Sequence, residues 1–317
     1  MGQLDSGNAA WILTSASLVF LMTPGVAFFY GGMVRAKAVL NMMIMEAAAL
    51  SVTMIMWVLW GWSIAGTSVG GIFGDPATGF LLKDTMVSDK GVFTSAALNG
   101  NNYPVSVDVA FQSAFAMITV ALICGAIAER VKYSTWMIFV ALWITFDYAP
   151  LAHMVWNGGL LSADGAISQA IGAAAHDFAG GTVVHINAAV AALVIVLIIG
   201  KRKGFGTQPF RPHNVPFVML GAFLLWFGWF GFNAGSAFAA NGTAGYAWVP
   251  RPPQPLRQCS PGASPRRFAP ATTPQWVPLP ASSRASSPSP RPPMWSPRCG
   301  PSSSAPSPVC SPAWPAV

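Results

Sequence analysis

Residues 177–200 read DFAGGTVVHINAAVAALVIVLIIG. Beyond Asp177 this stretch contains one ionisable side chain, that of His185. A helix that crosses a bilayer needs about 20 mainly apolar residues. The stretch therefore predicts a membrane-spanning helix over residues 178–200, with Asp177 at its start. A rise of about 1.5 Å per residue places His185 on the order of 12 Å below Asp177, close to the middle of the membrane.

The same criterion identifies five more apolar stretches along the chain. Together they predict six spans, at residues 9–31, 39–66, 109–129, 134–157, 178–200 and 215–240. The first is not a signal peptide, because no basic segment precedes it and it runs too long. The 317 residues are 53% hydrophobic and 9% charged, whereas soluble domains are about a quarter charged. We expect an all-α integral membrane protein and exclude an ordinary soluble enzyme.

Basic residues fall in alternate loops between the predicted spans. Arg35 and Lys37 follow the first span and Arg130 and Lys132 the third, and four more follow the fifth: Lys201, Arg202, Lys203 and Arg211. Short loops rich in Lys and Arg stay on the cytoplasmic side, whereas the loop at 158–177 has neither residue type. The pattern predicts a multi-pass protein of the cell (inner) membrane whose N-terminus faces outward.

The last 68 residues, 250–317, differ in composition from the rest. They hold 20 of the 27 prolines and seven arginines, without Asp, Glu or Lys, so the net charge of +7 belongs to them and does not indicate nucleic-acid binding. Such a segment buries too little apolar surface to fold, which predicts a disordered Pro/Arg/Ser-rich tail. GC-rich codons can be chosen for residues 279–293 and 302–317 that encode helix-like apolar strings in a shifted frame. We interpret the tail as a frameshift product, with a natural proline-rich tail as the alternative.

Polar side chains inside the spans are candidate functional groups because they are costly in a membrane, although such groups also tie helices together. They are Glu46, Gln112, Asp147, His185, Asn187 and Asn233. Asp177, Gly181 and His185 recur every four residues, which predicts one stripe along the fifth span. Burial disfavours the charged imidazole, so His185 is expected to be neutral.

Aromatic residues cluster towards the outer ends of the predicted spans. Phe115 shares a face of the third span with Phe111, Phe232 shares a face of the sixth with Ser236, and Trp156 ends the fourth span. Aromatic faces attract small cations, more strongly where the site is desolvated. This arrangement predicts an aromatic vestibule above His185. The alternative is that these rings only face lipid and the membrane interface.

At this point the chain resembles a known family over residues 4–249. The motifs that carry the resemblance are MTPGVAFFYGGMVR at 22–35, PLAHMVW at 150–156, DFAGGTVVHINA at 177–188, GKRKGFG at 200–206, PHN at 212–214 and GWFGFNAGS at 228–236. They are similar to those of the ammonium transporters of the Amt/Mep/Rh family, in their bacterial-type Amt form. The resemblance implies an eleven-helix inverted-repeat channel fold, of which this chain has six transmembrane helices, and a homotrimer with one pore per subunit.

The resemblance also implies roles for particular residues. Trp156, Phe115 and Ser236 would form an outer site that recruits ammonium or methylammonium. Phe115 and Phe232 would be stacked rings that gate the pore. Asp177 would support the outer site structurally, and His185 would be the first of two pore histidines that relay the proton while ammonia passes separately. No cofactor and no metal site is implied.

The chain departs from the family after residue 249. Its four histidines are His153, His176, His185 and His213, so none can supply the second pore histidine. A seventh span begins at Tyr246 and is then lost. We therefore expect these 317 residues to be inactive in nitrogen uptake and to lack the C-terminal segment through which the family meets its nitrogen-regulatory signal protein.

Two other classes of function remain open on the sequence. A membrane redox protein would use His153, His176 and His185 as haem or metal ligands, and it needs two histidines that face each other at similar depth. An interaction protein would use the proline-rich arginine tail to recruit polyproline-binding partners.

Overall fold

The structure is a computed structural model that describes residues 3–66, 69–83, 85–89, 92–95 and 98–249. Within these residues six helices are long and apolar enough to cross a membrane, and we number them spans one to six: Ser6–Met33, Ala36–Gly66, Val105–Ile127, Tyr133–Trp156, Gly181–Ile199 and Val215–Gly235. The predicted helical membrane fold with six spans is confirmed. The tail that we predicted to be disordered, 250–317, lies outside the described residues.

Three of the spans contain a π-helical turn, which is wider than an α-helical turn. Span two has a 3₁₀ turn at Ala36–Ala38, α-helix at Val39–Met56, a π-helical turn at Trp57–Gly61 and α-helix again at Trp62–Gly66. Span four is α-helical at Tyr133–Trp143 and Ala149–Trp156 around a π-helical turn at Ile144–Tyr148. Span five opens with a π-helical turn at Gly181–Ile186 and continues as α-helix over Asn187–Ile199. Single π-helical turns inside α-helices often mark functional sites.

The connections carry several short elements. A 3₁₀ turn covers Phe80–Leu82, and strands β1 (Met86–Asp89) and β2 (Val92–Ser95) pair in antiparallel register, with Met86 opposite Ser95. The sequence analysis did not predict this hairpin. Two short helices follow, at Ala166–Ile171 and Gly242–Trp248. The second includes Tyr246, where we predicted the start of a seventh span.

Spans one and six pack backbone against backbone. A Cβ added to Gly221 would lie 2.5 Å from the Gly25 carbonyl oxygen, and a Cβ on Gly231 would lie 2.8 Å from that of Ser15. Helices approach this closely only where small residues line the contact. The glycines of span six therefore fix its position along span one.

Two span boundaries differ from the prediction in ways that concern the site. Span five begins at Gly181 rather than at residue 178, so Asp177 precedes the helix and is not on its face. Span six ends at Gly235 rather than at residue 240, and the Ser236 hydroxyl at this end donates to the Phe232 carbonyl oxygen at 2.8 Å. Both changes place a predicted site residue at a helix end.

Candidate functional site

The carboxylate of Asp177 accepts hydrogen bonds from four successive backbone N–H groups at the start of span five. One oxygen accepts from Gly180 and Gly181, at 2.6 and 2.8 Å, and the other from Thr182 and Val183, at 2.8 and 2.9 Å. The first N–H groups of a helix have no partner within the helix. A single side chain therefore satisfies all of them, and the positive end of the helix dipole favours its negative charge.

The turn that follows Asp177 depends on Gly180. This residue has φ of 86°, in the left-handed region that favours glycine, and a Cβ on it would lie 2.7 Å from the Val184 side chain. Its carbonyl oxygen accepts from the N–H groups of both Val184 and His185, at 3.0 Å each. The bond to His185 spans five residues, which is the π-helical pattern. The predicted stripe of Asp177, Gly181 and His185 assumed an α-helical turn and is replaced by this geometry.

Three aromatic rings from three different spans meet beside Asp177. The rings of Phe115 and Phe232 stack with their centroids 4.3 Å apart and their planes 15° apart. Trp156 meets Phe115 edge to face at 6.2 Å, and its indole N–H donates to the backbone oxygen of Asp177 at 3.0 Å. Both Phe rings are buried. The stacked pair thus forms a closed floor, and a hydrogen bond fixes the orientation of the indole above it.

A cavity of about 390 Å³ lies over this floor, and we call it the aromatic cavity. It is lined by Phe111, Gln112, Phe115, Trp156, Asn157, His176, Asp177, Phe178, Ser236 and Phe238. The structure brings together the predicted residues Trp156, Phe115, Ser236 and Asp177 here. The Ser236 hydroxyl donates to Phe232, so its oxygen retains lone pairs that can accept a hydrogen bond from a ligand.

His185 packs against the Phe232 ring and does not line the aromatic cavity. Its imidazole is half-buried, 5.7 Å from the Phe232 ring and 5.8 Å from the Trp229 ring, measured between centroids. The sequence analysis missed Trp229, although it precedes Phe232 by three residues and so shares its helix face. Of Phe115, Phe232 and His185 only Phe115 lines the cavity, and Phe232 connects it to His185 by ring contacts.

The other histidines lie in different surroundings. His153 is fully buried, with its Nδ1 3.4 Å from the Ala65 carbonyl oxygen, and exposed His176 lines the aromatic cavity. No three His, Cys, Asp or Glu side chains are grouped to hold a metal ion within the described part of the chain. The redox interpretation gains no support from this arrangement.

Comparisons with known proteins all point to the same family. The model of the Ammonium Transporter Family matches residues 10–250. The ammonium transporter of Mycobacterium tuberculosis is 52% identical over 260 residues, which cover 78% of this chain and 54% of that protein. The ammonium transporter of Aquifex aeolicus is 46% identical over 249 residues, covering 78% and 54%. The chain thus spans about half the length of the curated relatives it matches.

Solved structures agree with these relatives. Candida albicans Mep2 superposes with a TM-score of 0.66 at 33% identity, over 78% of this chain and 51% of the Mep2 chain. A sensor Amt protein superposes with a TM-score of 0.64 at 28% identity, over 75% and 56%. None of these relatives is described as a redox protein or an enzyme, so the comparisons do not support the redox interpretation.

Proposed function

Because this chain belongs to the ammonium transporter family, we propose that its described residues form part of a pathway that carries ammonium or methylammonium across the cell membrane. The observation that carries the proposal is a series of contacts: Phe115 lines the aromatic cavity, Phe232 stacks on Phe115, and His185 packs against Phe232. In this proposal a cation site, a pair of stacked rings and a titratable group follow one another in that order.

Trp156, Phe115 and Ser236 recruit the cation in this proposal. The faces of aromatic rings attract a small cation by about 0.5–2 kcal/mol, depending on desolvation, and the Ser236 oxygen accepts one ammonium N–H. Asp177 adds its negative charge from the edge of the cavity. The structure records no ion pair to this carboxylate within the residues it describes. Its charge therefore remains available to attract a cation. The carboxylate holds the start of span five through its hydrogen bonds, and the backbone oxygen of Asp177 holds Trp156.

Phe115 and Phe232 act as the gate, and His185 as the proton carrier below it. An ion cannot cross hydrocarbon cheaply, whereas neutral ammonia can pass between apolar rings. Ammonium is therefore stripped of water in the aromatic cavity and gives up a proton, and ammonia and the proton then move inward separately. A neutral imidazole can accept and release that proton. In the family this histidine has a partner in the second repeat.

The proposal also includes the orientation and assembly of the protein. We place the aromatic cavity on the outer side, with the N-terminus outside, since the loops with Arg35, Arg130 and Lys201 belong on the cytoplasmic side. We expect a homotrimer, as the resemblance to the family implies. The nitrogen-regulatory signal protein would meet an intact family member on the cytoplasmic side.

Uptake of labelled methylammonium into cells tests these roles. We expect none from the 317-residue chain, because no histidine from a second repeat meets His185. We expect uptake from a chimaera that joins residues 1–249 to the remaining part of the M. tuberculosis ammonium transporter.

In that chimaera, Trp156→Leu should lower uptake at low methylammonium concentration by about tenfold or more, since it removes the cation-binding ring. Trp226→Leu is the matched control, because Trp226 is half exposed on the outside of span six and should have little effect. Equal uptake by both variants would contradict the assignment of the outer site. No uptake from the unaltered chimaera, shown to be folded in the membrane, would contradict the proposed pathway.

A further inference from the structure

A second cavity, of about 310 Å³, lies at the opposite end of the bundle, and we call it the arginine cavity. Tyr30, Gly125, Arg130, Arg202 and Phe210 are among the residues that line it. Gly125 lies on span three, as does Phe111 of the aromatic cavity, and at about 1.5 Å per residue they are roughly 21 Å apart. The two cavities are therefore separate sites.

The charges around the arginine cavity do not cancel. Glu129 is held by Arg35, with both carboxylate oxygens engaged at 2.8 and 2.5 Å. Arg130 and Arg202, which line the cavity, form no ion pair within the residues that the structure describes. Lys201 and Lys203 add further positive charge in the same loop as Arg202. Glu129 also lies close enough to Arg202 for that charge to lower its pKa. The three arginines and this one carboxylate therefore leave a net positive charge beside the cavity.

The two guanidinium groups are held in place by contacts that leave their charge intact. Arg130 donates to the carbonyl oxygens of Gly200, at 2.7 Å, and Ala126, and its Nε is buried without a partner. Arg202 stacks on the ring of Phe210, with 4.1 Å between the guanidinium carbon and the ring centroid. The structure records no hydrogen bond from the Arg202 guanidinium among the described residues, and Arg202 lines the cavity.

Burial and, secondly, the charge of Arg202 lower the pKa of Arg130. The two cations therefore lie near enough to repel each other. A pair of fixed like charges beside an open cavity is an arrangement that an anion stabilises. Planar guanidinium groups match phosphate oxygens in a two-bond geometry, and stacking on an aromatic ring preserves that geometry.

We propose that the arginine cavity binds a phosphate group between Arg130 and Arg202. The group comes either from free phosphate or from the headgroup of an anionic phospholipid. Basic pockets between membrane helices are a recognised setting for headgroup binding. The competing explanation is that these arginines serve only to orient the chain in the membrane. The inference is independent of ammonium conduction, since it concerns the other end of the bundle.

The test uses the full 317-residue chain purified in detergent, with its melting temperature measured as inorganic phosphate is added at constant ionic strength. A ligand that binds the folded state raises the melting temperature. The key variant is Arg202→Gln, because Arg202 has no recorded hydrogen bond to lose on substitution. Lys203→Gln is the matched control, since it removes the same charge from an exposed residue outside the cavity lining.

We expect phosphate to stabilise the wild-type chain and Lys203→Gln, and Arg202→Gln to weaken the affinity by at least about tenfold. Arg202→Lys keeps the charge without the planar fork and should give an intermediate loss. The melting temperature is then measured in nanodiscs of phosphatidylcholine with or without phosphatidylglycerol. This comparison distinguishes a lipid headgroup from free phosphate as the ligand.

If free phosphate stabilises the wild type and Lys203→Gln more than Arg202→Gln, the ligand is a soluble anion. If only phosphatidylglycerol produces this difference, the ligand is a lipid headgroup. Absence of stabilisation by both ligands overturns the proposal. Equal losses in Arg202→Gln and Lys203→Gln also overturn it, because they would reflect general charge.

Discussion

The two ends of the bundle hold a carboxylate in opposite ways. At the aromatic end, Asp177 is held by four backbone N–H groups and has no cationic partner within the described residues. At the basic end, Glu129 is held by the guanidinium of Arg35, with two more arginines close by. Backbone dipoles satisfy a carboxylate without cancelling its charge, whereas an ion pair cancels it.

The two ends of the bundle therefore differ in their electrostatic character. The aromatic cavity combines ring faces with a carboxylate that has no cationic side-chain partner among the described residues. The arginine cavity has a net positive charge beside it, so it disfavours a cation and favours an anion. The following predictions test each part of this contrast, beginning with the largest effect.

Asp177→Ala should cause the largest loss of stability at the aromatic end. Gly180 and Val183 are buried, so their N–H groups cannot turn to water, and an unsatisfied buried donor costs about 1–3 kcal/mol. We expect the unfolding free energy to fall by about 3 kcal/mol, measured as a lower melting temperature by circular dichroism in detergent. Asp177→Asn keeps one acceptor oxygen and should lose less. Equal losses in both variants would contradict the role of the second oxygen.

Gly221→Ala should disturb the close contact between spans one and six, which connects the two ends of the bundle. The added Cβ meets backbone atoms of span one, at Gly25 and Phe29, which cannot rotate away. We expect a loss of about 2 kcal/mol, in the range for overpacked interiors. Gly245→Ala is the control, since nothing lies within 4 Å of a Cβ there. A melting temperature for Gly221→Ala equal to that of this control would show that the spans can separate without cost.

Phe232→Leu should loosen the floor of the aromatic cavity. It keeps an apolar side chain but removes the stacked ring, for which we expect a loss of about 1 kcal/mol. Phe227→Leu, in the same span but half exposed, is the matched control. The melting temperatures of the two variants can be compared directly, and no difference between them would mean that the ring stack contributes little.

Glu129→Gln should have the smallest effect and a distinctive dependence on pH. The hydrogen bonds from Arg35 lower the pKa of Glu129. Its ion pair therefore contributes stability that is fully present above the ordinary Glu pKa of about 4.3 and is lost as the pH falls through the lower folded-state value.

We expect Glu129→Gln to cost about 0.5 kcal/mol at pH 7, within the range for ion pairs at the surface. The difference in melting temperature between the variant and the wild type should shrink once the pH falls below 4.3 or so. A difference that stays constant over this range would contradict the ion pair as its source.

The sequence was a good guide to the spans and to part of the site. Six apolar stretches of sufficient length were enough to place the helices, and helical spacing put Phe115 and Phe232 near the outer ends of their spans. Hydrophobicity could not reveal the π-helical turn at Gly181–Ile186. This turn depends on which N–H groups bond to the Asp177 carboxylate and which bond to the Gly180 carbonyl oxygen.

The arginine cavity shows a second limit of sequence reasoning. Arg130 and Arg202 were identified as markers of orientation, which requires no knowledge of their neighbours. Their approach to each other depends on the hydrogen bond from Arg130 to the Gly200 carbonyl oxygen, which joins segments 70 residues apart in the chain, and on the stacking of Arg202 on Phe210. Residue type and spacing within one helix do not encode such contacts.

The glycine contact between spans one and six also constrains how the protein is made. Span one leaves the ribosome first and span six last among the six, with roughly 180 residues between them, so at 5–20 residues per second span one waits on the order of 10–40 s for its partner. During that interval its glycine face is open to lipid or to other nascent helices. Slow or paused synthesis before Val215 should therefore favour non-native pairing, which makes translation speed a determinant of the yield of correctly packed protein.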